Sequence, residues 1–97
     1  MSETQQLLAD YAKTGSEAAF RELVNRYINL VYSAAIRLVN NDSHLAEDVA
    51  QTVFADFVRA ARTLSPDVMI GGWLHRHTCF VARKTMRGEW RRQKRER

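Results

Sequence analysis

Residues 20–38, FRELVNRYINLVYSAAIRL, carry the pattern that decides the fold. Phe20, Leu23, Val24, Tyr27, Leu30, Val31, Ala34, Ala35 and Leu38 recur at intervals of three and four, over about five turns of an α-helix. Such spacing gathers the apolar side chains into one stripe, so the segment reads as the central core helix. Just upstream, Ser16 is a ready N-cap and Glu17 sits in the first turn, where a negative charge complements the helix dipole. Residues 4–13 show the same periodicity in miniature through Leu7, Leu8, Tyr11 and Ala12, and Gly15 supplies a stop after Lys13-Thr14.

Working toward the C-terminus, Asn40-Asn41-Asp42-Ser43 is a turn, and Asp42 or Ser43 can cap the next helix. That helix is expected to run to about Arg62. Leu45, Ala46, Val49, Ala50, Val53, Phe57, Ala60 and Ala61 face inward, whereas Asp48, Gln51, Thr52, Ala55, Arg59 and Arg62 form its outer side. Phe54 and Val58 lie at the margin, where a large apolar residue is either extra core or part of a docking face. Residues 63–72 hold the single proline, Pro66, and the Gly71-Gly72 pair, so the chain turns there. Val68, Met69 and Ile70 are apolar within this turn and are expected to fold back as core. Repeats and strand-like alternation are absent. The reading is all-α: three main helices preceded by a short N-terminal one.

The last stretch, residues 71–97, is GGWLHRHTCFVARKTMRGEWRRQKRER. It holds nine Lys and Arg against two Glu, a balance of +7, whereas residues 1–70 hold six bases and nine acids, a balance of −3. The overall +4 therefore conceals an asymmetry that suggests a polyanionic partner. Arg76, Phe80, Arg83, Arg87, Arg91 and Lys94 share one helical face, with Lys84 beside it and Trp73 and Trp90 flanking it. Leu74, His77, Val81 and Thr85 form a narrower opposite face that can rest on a core. Guanidinium forks suit phosphates and aromatic rings suit unpaired bases. Composition alone leaves nucleic acid, acidic lipid and acidic protein surfaces all open.

A chain of 97 residues fits one domain that buries about two-thirds of its unfolded surface. The boundaries read as a helical domain over 1–92, with 93–97 the start of a basic linker toward a second domain. One cysteine, Cys79, excludes an intrachain disulfide framework and fits a reducing cytosol. The N-terminus lacks the basic and apolar segments of a signal peptide, and no apolar run is long enough for a bilayer. A cytoplasmic protein without membrane insertion is expected. Gly71-Gly72 lacks the further glycine and the Lys-Ser/Thr of a phosphate loop. His75, His77 and Cys79 alternate, and on a helix His77 points away from the other two, so they cannot converge on a metal. Glu47-Asp48 are adjacent and do not face one another across a cleft. Neither an enzyme nor a metal or cofactor is expected.

With those residues in view, the chain resembles region 2 of bacterial RNA polymerase sigma factors, in particular the extracytoplasmic-function branch of the sigma-70 family. Three stretches carry the resemblance. Phe20-Arg21-Glu22-Leu23-Val24-Asn25-Arg26-Tyr27 looks like the family's first helix. Leu45-Ala46-Glu47-Asp48-Val49-Ala50-Gln51-Thr52-Val53-Phe54 is similar to its Asp-Ala-Glu-Asp-x-x-Gln-Glu-x-Phe segment, and Gly72-Trp73-Leu74-His75-Arg76 to its Trp-Leu-x-Arg opening of the last helix. Order and spacing agree over about residues 5–92.

The resemblance implies a transcription initiation module. Asp48, Gln51, Thr52, Phe54 and Ala55 would dock on the clamp helices of the polymerase β′ subunit. The loop from about Arg62 to Ile70 would capture a base flipped from the non-template strand of the promoter minus-ten element. Trp73, Arg76, Phe80, Arg83, Lys84, Arg87 and Arg91 would hold that DNA together with Arg62. Thr52 stands where the family has Glu, and Phe80 where Asn is frequent. Trp73 follows Gly72 where housekeeping members have two adjacent aromatics, which implies weaker melting. A second reading, from a different class, is a protein–protein adaptor whose basic helix meets an acidic partner such as an anti-sigma factor and never touches DNA.

Overall fold

The computed structural model describes residues 2–96 as four helices: α1 (Glu3–Thr14), α2 (Glu17–Leu38), α3 (Ser43–Ala60) and α4 (Ile70–Glu96). The all-α expectation of three principal helices after a short first one is borne out. Local chemistry sets the boundaries. Ser2 caps α1 in a reciprocal box with Gln5, whose backbone N donates to Ser2 Oγ at 3.2 Å. Gly15 closes the same helix at φ 70°, a left-handed conformation that costs a residue with a Cβ about 1–2 kcal/mol. Ser16 caps α2, and Asp42 caps α3 by accepting from the Leu45 backbone N at 3.1 Å. Asn40 and Asn41, at φ 58° and 62°, turn the chain between α2 and α3. Asparagine tolerates that region better than most residues.

Helix α2 is the hub: it packs against α1, α3 and α4, while α3 and α4 also pack on each other. Leu23, Val31 and Ala35 from α2 meet Val49, Val53 and Phe57 from α3 and Leu74 and Ala82 from α4, all essentially inaccessible. Burying a side chain such as Leu23 or Leu74 contributes roughly 1.5–3 kcal/mol. Thr78 is the one buried polar residue among those described, and its hydroxyl donates to the Leu74 carbonyl at 2.6 Å, so nothing polar is left unpaired there.

Several expectations are corrected. Leu30 and Leu38, assigned to the core stripe of α2, stand 39% and 38% exposed, because the three neighbouring helices cover less than the full width of that stripe. Of the apolar turn, Ile70 is buried and begins α4, Val68 is half-buried, and Met69 projects into solvent at 75% exposure. On α4 the inward side is Leu74, Thr78, Val81 and Ala82, with His77 and Thr85 at its borders. Residues 93–96 form the last turn of α4.

Candidate nucleic-acid interface

Helix α4 is 27 residues long, about 40 Å at 1.5 Å per residue. One side is docked on α2 and α3; the other is open along its length. Arg76, Phe80, Arg83, Lys84, Arg87, Arg91 and Lys94 are all exposed, as their spacing predicted. None of these six bases forms an ion pair among the described residues, so their charge is available to a partner.

An aromatic run leads from the core to that face. Phe57 lies 5.5 Å from Trp73, Trp73 stacks on His77 at 4.8 Å with planes 15° apart, and His77 lies 5.8 Å from Phe80. Trp73 is therefore half-buried, with one face against the core and its indole committed on that side. Phe80, by contrast, is 56% exposed at the end of the run. Asp56 of α3 fixes His77: its Oδ2 accepts from Nε2 at 2.7 Å, while Oδ1 accepts from Arg59 Nη2. The His77 hydrogen bond, seconded by Arg59, holds the Asp56 carboxyl below the usual carboxylate range, against the opposing effect of its partial burial. Spacing places His77 on the narrow inward face of α4 and gives no sign of its partner Asp56, which lies 21 residues away on another helix.

The loop ahead of α4 is pinned from two sides. Gln5 Nε2 of α1 donates to the Val68 carbonyl at 3.3 Å, and Tyr27 of α2 lies close against Gly71. A concavity opens here between Thr4, Tyr27, Val68, Met69 and Gly72, with the exposed Met69 at its rim. Arg62, just after α3, is exposed and borders a second cleft against Leu8 and Ala12 of α1.

On α3, Asp48, Gln51, Thr52 and Ala55 lie together on the exposed side. Phe54 does not join them. Its ring is 9% exposed and belongs to the core cluster, so the marginal Phe resolves as core. His75, His77 and Cys79 do not converge, and among the described residues no group of three His, Cys, Asp or Glu could hold a metal ion. No helix is long and apolar enough to cross a membrane.

These features define a helical module that offers a long basic face and a separate, partly acidic one. The Sigma-70 region 2 family matches residues 23–96, and the chain belongs to that family. It is a region 2 domain of the extracytoplasmic-function type, a DNA-binding part of a transcription initiation factor. Among solved structures it is similar to an engineered region 2 of sigmaE, determined by NMR in complex with GTAAAA. The two share 32% identity over 95% of this chain and 97% of that one, with a TM-score of 0.83. A search of curated protein sequences found no match.

Proposed function

We propose that this domain joins core RNA polymerase through the outer side of α3 and holds the non-template strand of the promoter minus-ten element along α4 and the loop before it. The observation that carries the reading is the unbroken exposed basic face of α4, whose opposite side is packed into the bundle. Phosphates meet Arg76, Arg83, Arg87 and Arg91, with Lys84 beside them, and Phe80 offers a ring to an unpaired base. The concavity at Tyr27 and Met69 suits a single base turned out of the strand, because it is shallow and joins apolar side chains to the polar Ser2, Thr4 and Gln5. Arg62 stands at the other end of the same loop. The complex of the related sigmaE domain with GTAAAA supports a short nucleotide sequence as ligand.

Asp48, Gln51, Thr52 and Ala55 form the docking side for the β′ clamp helices, with Phe54 acting from beneath to fix the helix. The residues work by positioning and charge alone.

The test is to assemble the domain on core polymerase and partition a randomised single-stranded DNA pool on the complex. A short motif should be enriched, and Asp48→Arg should lose the polymerase. Failure of both, with an acidic protein captured instead, would favour the adaptor reading and an anti-sigma factor as the main partner.

A further inference from the structure

We infer that Trp90 is a second stacking subsite for single-stranded nucleic acid, at the far end of α4 from the base-capturing loop; the inference rests on the nucleic-acid reading of that helix. Trp90 is 62% exposed, although an indole with nothing to meet is costly to leave in water. It stands on an open surface of α4 with Arg87, Arg91, Gln93 and Lys94, and borders a shallow groove formed by Arg83, Met86 and Arg87 together with Leu38 and Asn40 from the end of α2. Both are open to solvent, so a base can reach the ring.

The charge around the ring is free to act. Arg87, Trp90, Arg91 and Lys94 fall at i, i+3, i+4 and i+7, so three cations and the indole share one face. The nearby acid, Glu89, is engaged by Arg92 at 2.7 Å. A nucleotide strand offers what this surface lacks: negative charge at intervals for the cations and a π-face for the ring. Asn40 adds a side-chain amide, able both to donate and to accept at a base edge. Its left-handed backbone, at φ 58°, is part of the turn that brings it beside the groove. From Ile70 to Trp90 is about 30 Å along the helix, or about nine stacked nucleotides at 3.4 Å each. A strand seated in the loop therefore needs several more nucleotides to reach the second ring.

The experiment uses the whole chain with Trp73→Phe, which leaves Trp90 as the lone tryptophan. At low salt it is titrated with a mixed-sequence single-stranded 20-mer, with the same sequence as a duplex, and with anionic phospholipid vesicles. The single strand should quench Trp90 emission. Affinity is read in every variant by anisotropy of a dye-labelled strand, and adding Trp90→Ala should weaken single-strand binding about 5- to 150-fold, the loss expected for one stacked base. Trp90→Phe should retain most of the affinity, and the duplex should be affected less than about twofold. Because the ring is exposed, Tm should be unchanged in both variants. Equal single-strand binding by parent and Trp90→Ala overturns the subsite while leaving the basic face intact. A parent that binds no single strand at all overturns the nucleic-acid reading and the subsite with it. Vesicle binding without oligonucleotide quenching assigns Trp90 to a membrane surface and refutes the proposal.

Discussion

Replacing Arg83 and Arg87 together by Ala should halve the salt dependence of single-strand binding. Arg76, Arg83, Arg87 and Arg91 lie 7, 4 and 4 residues apart on one exposed face, about 10, 6 and 6 Å along the helix axis. Those intervals exceed the spacing of about 3.4 Å between stacked nucleotides, so each guanidinium reaches a different phosphate. Four phosphates neutralised on a single strand give a slope of log affinity against log salt of about −3, at roughly −0.7 per contact. Raising salt from about 50 to 200 mM would then weaken the parent about 50-fold. The double variant, with about half the slope, should weaken only about 7-fold over the same range. Both arginines are exposed and unpaired, so stability should stay within about 0.5 kcal/mol of the parent. Fluorescence anisotropy with a labelled oligonucleotide, on the polymerase-bound domain, reads the slope. An unchanged slope in the double variant would show that this face does not meet the DNA backbone.

Phe57 is 1% exposed and touches both Phe20 and Trp73, so Phe57→Ala should cost about 3–5 kcal/mol in urea unfolding; a loss under about 1 kcal/mol would reject it as the centre of the core. Asp48→Arg should leave Tm nearly unchanged, since Asp48 is exposed and makes no ion pair among the described residues, yet abolish retention on core polymerase. The Asp56 carboxyl, with its folded pKa lowered by His77 and Arg59, stabilises the fold above its unfolded value near 3.9 and loses that contribution as pH falls through the folded value. The stability gap between parent and Asp56→Asn should accordingly close as urea titrations are taken to acid pH, below the unfolded carboxylate value. A gap independent of pH would mean the Asp56 charge contributes nothing.

The helices, the Ser16 cap and the basic face are legible in the sequence. Each depends on neighbours within four residues: the three-and-four spacing of Leu23, Tyr27 and Val31, the Ser16 cap, the left-handed Gly15, and the register of Arg76 to Lys94 on one side of a single helix. The exposed side of α3 is legible for the same reason in Asp48, Gln51, Thr52 and Ala55. Packing settles what depends on how much surface a neighbour covers or on which residues meet across helices. Leu30, Leu38 and Met69 have the composition of core yet stand in solvent, and Phe54, which spacing leaves between core and docking face, is buried. Asp56 and His77 are 21 residues apart, and Asn40 and Trp90 are farther still, so no local pattern announces either pairing. Periodicity says which side of a helix is apolar. The packing of α2 against three partners says how much of that side is hidden, and the portions left uncovered are the ones available to a ligand.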